Sequence, residues 1–123
     1  MSETQAFVIE DHEYTATIFA AALQAAGYET EIVSDGEAAL IRLKEAEPDL
    51  IVLDLHLPGV SGREILGHIR KDVRLEKVPV FLATADPLLA DELSSNVNLV
   101  LIKPISFDQL SVLATRFHPS NRL

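Results

Sequence analysis

The chain has 123 residues, 48% of them hydrophobic, and its 10 Lys and Arg against 19 Asp and Glu give a formal charge of −9 at pH 7. The length suits one domain with a single core, and the apolar fraction is too high for an intrinsically disordered chain. The absence of Cys excludes disulfides, thiolate catalysis and Cys-ligated zinc. The acidic balance argues against direct binding of nucleic acid, which normally needs a basic face.

Nothing in the sequence indicates a membrane segment. No uninterrupted apolar run approaches the ~20 residues that a membrane-spanning helix needs. The first five residues lack the basic start and apolar stretch of a signal peptide. We therefore expect a soluble, cytoplasmic protein that makes no contact with membranes.

The first part of the chain alternates between short apolar runs and helix-like segments. Residues 7–9 favour a strand, and the Ala-rich segment 13–26 predicts a helix. Gly27 follows that helix at a position where a residue with positive φ commonly ends one. The alternating run 28–33 predicts a second strand, and the spacing of apolar residues over 37–46 predicts a second helix.

The same alternation continues to the end of the chain. Residues 50–55 form a nearly continuous apolar run, which is typical of a strand buried on both faces of a parallel sheet. The residues from 118 onward are expected to be unstructured. Between these segments the pattern predicts helix 62–71, strand 78–83, helix 87–94, strand 97–102 and helix 106–117, the last with Ser106 as its N-cap.

Five strands and five helices in strict alternation predict an α/β fold, a doubly wound parallel sheet with helices on both faces. The chain contains no internal repeat, no low-complexity segment and no linker-like stretch. We therefore expect one domain over residues 1–123, with a core of about 5–117 and short tails at both ends.

Polar residues stand at the ends of four predicted strands. Glu10 and Asp11 follow the first strand, Asp54 lies at the end of the third, Thr84 follows the fourth, and Lys103 follows the fifth. In open α/β sheets the binding crevice lies outside the carboxyl ends of the strands, where the strand order reverses. With the order 2-1-3-4-5, strands one and three are neighbours there, so the three carboxylates converge on one small volume.

Three carboxylates in one crevice repel one another unless a cation is present. Mg²⁺ fits a site that has few protein ligands, all of them oxygen atoms, and several waters. Thr84 would add a hydroxyl donor and Lys103 a positive charge on a flexible stem. Such a set suits a phosphoryl group, and one carboxylate could accept that group covalently.

In this arrangement the chain resembles the receiver domain of two-component response regulators. The resemblance extends from about residue 7 to residue 117, and it also implies the flavodoxin-like strand order 2-1-3-4-5. Each matching motif is weak alone, but four of them in order, each at a strand end, are highly specific. They are Glu10-Asp11, the run Asp54-Leu55-His56-Leu57-Pro58-Gly59 with Gly62, Thr84-Ala85 and Lys103-Pro104.

The resemblance implies a role for each residue of the site. Asp54 would be the phosphoacceptor. Glu10, Asp11, Asp54 and the backbone carbonyl of His56 would hold Mg²⁺. Thr84 would donate a hydrogen bond to the phosphoryl group and Lys103 would contact it. The family also implies a cis peptide bond before Pro104.

The resemblance further implies how the protein acts. A sensor histidine kinase or a histidine phosphotransfer protein would supply the phosphoryl group, and the protein would signal by phosphorylation-dependent contact with another protein rather than as an enzyme. The downstream target, the pathway and the oligomeric state are not given by the sequence. A stand-alone regulator, a phosphorelay shuttle and the receiver of a longer protein all remain open.

The sequence departs from the family at several positions. Many receivers carry Tyr or Phe three residues before the lysine, where this chain has Val100, which cannot perform the same aromatic rotation. We expect the loop after the fourth strand still to shift on phosphorylation, because Thr84 is present. Residues 94–99 lack the usual Gly-Ala, so an irregular corner is expected. His12, His68 and His118 are expected to be solvated.

Three other functions remain as alternatives. A phosphohydrolase with an aspartyl nucleophile commonly has a second acid two residues later, where this chain has His56. A degenerate receiver that binds partners without phosphorylation is disfavoured by the presence of Asp54, Thr84 and Lys103. A nucleotide-binding domain is disfavoured because no glycine-rich phosphate loop is present.

Overall fold

The computed structural model describes residues 3–121, in which five strands and five α-helices alternate along the chain. None of these helices is both long and apolar enough to cross a bilayer. The strands are β1 (Gln5–Ile9), β2 (Glu29–Val33), β3 (Leu50–Asp54), β4 (Val80–Thr84) and β5 (Leu99–Ile102). The helices are α1 (Glu13–Ala25), α2 (Gly36–Glu45), α3 (Gly62–Lys71), α4 (Pro87–Leu93) and α5 (Phe107–Phe117).

The five strands form one parallel sheet in the order β2-β1-β3-β4-β5, which confirms the predicted order. Val8 of β1 lies beside Val52 of β3, and Asp54 of β3 lies beside Ala83 of β4. The strands therefore end at nearly the same level, and the residues that follow them share one edge of the sheet.

Each face of the sheet has its own apolar core, because successive strand residues point to opposite faces. On one face Val8, Val52 and Phe81 pack with α1 and α5. On the other face Phe7 and Leu53 pack with the helices α2, α3 and α4. All five strand residues are fully buried. The central strands are therefore held on both sides, as the apolar run 50–55 predicted.

Side-chain caps determine where the helices begin. The oxygens of Asp35, Ser61 and Asp86 accept hydrogen bonds from backbone N–H groups in the first turns of α2, α3 and α4. Ser106 does the same for α5, which confirms the predicted cap. Gly27 has φ of 97° after α1, a conformation that glycine adopts without steric cost.

The predicted elements are all present, and their bounds agree within two residues. The prediction was wrong about the segment after α5, where residues Pro119–Asn121 form a 3₁₀ turn. His118, expected to be solvated, is half-buried: its ring lies 5.1 Å from the ring of Tyr28, and its Nε2 lies 3.3 Å from the carbonyl oxygen of Gly27. Residues 122 and 123 of the predicted tail, and residues 1 and 2, lie outside the described part of the chain.

The corner before β5 is irregular, as expected. Residues Ser94–Asn96 form a 3₁₀ turn, and the guanidinium of Arg70 donates to the backbone carbonyls of Asn96 and Val78. The side chain of Asn98 accepts from Arg70 and from the N–H of Val80. The side chain of Arg70, which belongs to α3, thus connects the backbone segments of this irregular corner by hydrogen bonds.

Two glycines provide a matched test of close packing in this fold. A Cβ at Gly36 would clash with the backbone oxygen of Val60, whereas a Cβ at Gly67 meets nothing within 4 Å. We expect Gly36→Ala to lower the free energy of unfolding by at least about 1 kcal/mol, because rigid backbone must move. Gly67→Ala should raise it by about 1 kcal/mol, because Ala is the better helix former.

Urea denaturation followed by circular dichroism measures both changes. A Gly36→Ala variant as stable as the wild type would contradict the close approach of α2 to the loop that follows β3.

Candidate functional site

The structure brings the predicted polar residues to one edge of the sheet. Glu10 follows β1, Asp54 is the last residue of β3, Thr84 is the last residue of β4, and Lys103 follows β5. These four strands are consecutive in the sheet. Residues that are up to 93 positions apart in sequence therefore come into contact.

Three carboxylates form a cluster at this edge. Glu10, Asp11 and Asp54 each place one carboxylate oxygen so that the three atoms lie within 4.8 Å of one another. Glu10 is 2% exposed and Asp54 is 4% exposed, while Asp11 lies at the surface. The cluster is therefore open to solvent on the side of Asp11 and closed on the side of Asp54.

The ammonium group of Lys103 is the positive charge beside this cluster. Its Nζ lies 2.7 Å from Oε1 of Glu10 and 3.5 Å from Oδ1 of Asp54. Burial acts to lower the pKa of Lys103, but the two carboxylates outweigh burial and raise the pKa above its usual value. Lys103 is thus charged at neutral pH. The peptide bond between Lys103 and Pro104 is cis, as expected.

The two buried carboxylates differ in their affinity for a proton. Burial raises the pKa of Asp54 to about 6, and the neighbouring Glu10 adds to this rise, although the N–H of His56 opposes it. Burial also acts to raise the pKa of Glu10, but hydrogen bonds from Lys103 and from the N–H of His12 bring that pKa below its usual value. The negative charge of Glu10 is therefore well compensated by nearby donors, whereas that of Asp54 is not.

The hydroxyl of Thr84 is fully buried at the end of β4. Its Oγ1 accepts a hydrogen bond of 3.0 Å from the N–H of Asp86. Among the described residues no acceptor faces its hydroxyl proton, so Thr84 retains the capacity to donate one hydrogen bond.

Two of the helix caps that sequence reasoning missed lie next to the site. Asp86 accepts from the N–H groups of Leu88 and Leu89, so the residue held by Thr84 also begins α4. His12, expected to have no role, caps α1 through its Nδ1, which accepts from the N–H of Thr15. The Asp-Pro pair at 86–87 is a typical helix start that the sequence contained, whereas His is not a common cap.

His56 is exposed and follows the site by two positions. Its backbone N–H donates a hydrogen bond of 3.1 Å to Oδ1 of Asp54. This bond and the contact with Lys103 both reach the same oxygen of Asp54. Oδ1 of Asp54 therefore lies next to two donors, whereas Oδ2 makes neither of these contacts.

Val100 is partly buried in β5 and packs with the apolar core formed by α2, α3 and α4. Ile102, two residues later, is 43% exposed. The position where many receivers carry an aromatic ring is thus filled by a small side chain that belongs to the core.

The donor set of the cluster fits a hard divalent cation. The three carboxylates carry more negative charge than Lys103 compensates, and oxygen atoms are the ligands that Mg²⁺ prefers. Asp11, at the surface, leaves a path from solvent to the cluster. The residues present are therefore chemically suited to hold Mg²⁺ together with several waters.

Comparison with known proteins agrees with these observations. Residues 6–115 match the family model of the response regulator receiver domain. The polar-differentiation response regulator DivK of Brucella ovis is 38% identical over 69% of this chain and 69% of its own length. The phosphate regulon transcriptional regulatory protein PhoB of Rhizobium meliloti is 34% identical over 84% of this chain, which spans about half (47%) of that protein.

One solved structure with a similar fold contains a metal ion. The receiver domain of the sensor histidine kinase PA1611 from Pseudomonas aeruginosa superimposes with a TM-score of 0.83 and 27% sequence identity. The match covers 94% of this chain and 98% of that one. That protein has a magnesium ion coordinated in its active site cleft.

The raised pKa of Asp54 predicts how the stability of the folded protein depends on pH. The folded-state pKa of about 6 lies above the usual value of 3.8 for an Asp side chain, so the folded state disfavours the charged form. The contribution of Asp54 to the free energy of unfolding should fall as pH rises from about 4 through 6, by up to about 3 kcal/mol, because one pKa unit corresponds to about 1.4 kcal/mol. We expect Asp54→Asn to be more stable than the wild type at pH 8 in the absence of divalent cations, and the gain to vanish near pH 4.

Urea denaturation at the two pH values measures this difference. Asp91→Asn, at an exposed position on α4, serves as the control and should show no such pH-dependent gain. An Asp54→Asn variant that is destabilised at pH 8 would overturn the interpretation.

Proposed function

The chain belongs to the response regulator receiver domain family, and on this premise we propose that Asp54 accepts a phosphoryl group from a phosphohistidine. The donor would be a sensor histidine kinase or a histidine phosphotransfer protein. The phosphorylated protein would then signal through contact with another protein. We further propose that residues 1–123 act as one receiver domain in the cytoplasm.

The observation that carries this proposal is the environment of the Asp54 carboxylate. The group is 4% exposed, and one of its oxygens faces both the ammonium of Lys103 at 3.5 Å and the N–H of His56 at 3.1 Å. A carboxylate that ends a buried strand without full charge compensation is costly for folding alone. The arrangement is suited to a group whose charge changes when it reacts.

The chemistry requires no further protein nucleophile. An oxygen of the Asp54 carboxylate would attack phosphorus and form an O–P bond, while the N–P bond to the donor imidazole breaks and its electron pair stays on nitrogen. Attack is favoured when Asp54 is ionised, above its pKa of about 6. Lys103 would exchange part of its contact with Glu10 for a phosphoryl oxygen.

Glu10, Asp11, Asp54 and the backbone carbonyl of His56 are the groups that we propose hold Mg²⁺. The ion, when bound, would supply positive charge that offsets the phosphoryl oxygens. The cluster of three carboxylates within 4.8 Å supports this assignment. The buried hydroxyl of Thr84, whose proton has no acceptor among the described residues, would donate to the phosphoryl group.

The signal would leave the site through the loop between β4 and α4. Thr84 accepts from the N–H of Asp86, and the carboxylate of Asp86 begins α4. A displacement of the Thr84 hydroxyl toward a phosphoryl group therefore acts directly on the start of that helix. Val100 provides no aromatic ring that could take part, so the response should be strongest at α4 rather than at β5.

The central test is phosphorylation by a small donor. Incubation with acetyl phosphate and Mg²⁺ should add one phosphoryl group to the wild type, measured by intact mass. Asp54→Ala should show no gain, because the attacking oxygen is absent, while Asp91→Asn should behave as the wild type.

The same acetyl phosphate assay tests whether phosphorylation requires the metal ion. Chelation with EDTA, or the pair Glu10→Gln and Asp11→Asn, should reduce the phosphorylated fraction by at least about tenfold, because removal of a ligand or of charge from a metal site commonly costs that much. Wild-type protein that stays unmodified, although it is folded and binds Mg²⁺, would favour a receiver that binds partners without phosphorylation.

A second prediction concerns the response at α4. The phosphoryl mimic beryllofluoride, added with Mg²⁺, should shift the amide NMR signals of Asp86, Leu88 and Leu89. Thr84→Val, which keeps the volume and removes the hydroxyl, should still bind the mimic and lose these shifts. Nearly identical wild-type spectra at α4 with and without the mimic would refute the proposed route.

A further inference from the structure

The basic residues of this acidic chain are concentrated on one side of the fold. Residues 1–41 contain no Lys or Arg, whereas seven of the ten basic residues fall between 42 and 77. That segment includes the last turn of α2, all of α3 and the loop after α3. The surface formed by these elements is therefore far less negative than the rest of the molecule.

A groove of about 310 Å³ runs between α2 and α3 on this side. Its floor is apolar and consists of Leu40, Leu43, Ile69 and Leu75. In a parallel α/β sheet the helices run opposite to the strands, so the C-terminal halves of α2 and α3 lie toward the strand starts. The groove is thus at the far end of the fold from Asp54.

The rim of the groove carries cations that the protein itself does not neutralise. Lys44 and Lys71 are exposed on this rim, and neither ammonium makes a hydrogen bond or ion pair with another described residue. Other cations of the segment are engaged: Arg42 pairs with Glu31, and Arg63 with Glu92.

Arg74 offsets negative charge at the groove that would otherwise oppose an anionic ligand. Its Nη2 lies 2.9 Å from Oδ2 of Asp72, the acid that lines the groove. The same nitrogen donates a hydrogen bond of 2.7 Å to the backbone carbonyl of Leu43 at the end of α2. The partial negative charge of a helix C-terminus is thereby offset at the groove.

Two further apolar side chains on these elements are exposed. Ile41 of α2 is 59% exposed, and Val73 in the loop after α3 is 80% exposed. An apolar floor with a cationic rim matches a ligand that has apolar side chains flanked by carboxylates.

We propose that the groove between α2 and α3 is a docking site for an acidic, amphipathic segment of a partner protein. Apolar side chains of that segment would lie on Leu40, Leu43 and Ile69, and its carboxylates would pair with Lys44 and Lys71. This contact is separate from the proposed phosphorylation site and does not depend on it.

Charge favours this occupant over two others. A second copy that paired groove to groove about a two-fold axis would bring like charges together. An anionic membrane extends far beyond the groove and would also face the acidic remainder of a chain with a formal charge of −9, whereas a short segment would contact the groove alone.

The experiment uses a fluorescein-labelled synthetic peptide of repeated Glu-Glu-Leu-Leu as the probe and the full chain as the receptor. Fluorescence polarisation should show saturable binding that weakens as salt is raised. Lys44→Glu and Lys71→Glu should each raise the Kd by at least about tenfold, because a favourable charge pair becomes a repulsive one. Arg116→Glu, the same change at an exposed position of α5, should leave the Kd unchanged.

Two peptide controls separate charge from apolar contact. Replacement of Leu by Ser, or of Glu by Lys, in the probe should abolish binding, and the probe should shift the amide NMR signals of Leu43 and Ile69. Circular dichroism verifies that each protein variant is folded. Absence of wild-type binding, or equal loss in Arg116→Glu, overturns the proposal.

The other occupants have their own readouts. Self-association in sedimentation that Lys71→Glu abolishes would assign the groove to a second copy and overturn the proposal. Co-sedimentation with phosphatidylglycerol vesicles that the lysine variants lose, without peptide binding, would assign it to membranes and also overturn it. Phosphorylation by acetyl phosphate should be equal in the lysine variants and the wild type, so this result is independent of the function proposed for Asp54.

Discussion

The structure depends on how two carboxylates are kept out of water at one edge of the sheet. Glu10 and Asp54 are almost fully buried, and the ammonium of Lys103 lies 2.7 Å from the first and 3.5 Å from the second. This contact connects the end of β1 to the end of β5 across the width of the sheet. Burial raises the pKa of Asp54 to about 6, and the neighbouring Glu10 adds to this rise, because one ammonium faces two buried acids. The ion pairs of Lys103 thus stabilise this edge of the sheet, but they do not fully compensate the negative charge of the two acids. The remaining negative charge favours the binding of a cation or a change of charge at Asp54.

Two apolar cores position this edge, and the short helix α4 begins directly beside it. Two apolar cores, one on each face, bury every residue of β3 and β4, so the positions of Asp54 and Thr84 are set by packing. The helix α4 is the shortest of the five α-helices: it has seven residues, of which Ala90 and Leu93 are buried. Its start is held by Asp86, whose N–H is bound to the Thr84 hydroxyl. A displacement of the Thr84 hydroxyl would therefore act on the start of this short helix.

Much of this could be predicted from the sequence, for identifiable reasons. The apolar run 50–55 and the regular alternation of strands and helices indicated a parallel sheet, and the polar residues at strand ends indicated a shared edge. The segment after α5 could not be predicted in the same way, because its 3₁₀ turn follows His118, whose ring contacts Gly27 and Tyr28 about 90 positions away. The cap formed by His12 was missed because imidazole is an uncommon cap and its role depends on local geometry.

The sequence by itself determined the fold class, the order of elements and the residue types at the strand ends, because hydrophobic periodicity and helix signals act over short stretches of chain. Only the tertiary structure decided how the charges are shared: that Lys103 lies closest to Glu10, that Asp54 keeps an unmet negative charge, and that Asp86 links Thr84 to α4. Only the tertiary structure likewise placed the unpaired Lys44 and Lys71 on either side of an apolar groove. Distances and burial control these electrostatic properties, and neither quantity is a property of a residue type or of its spacing along the chain.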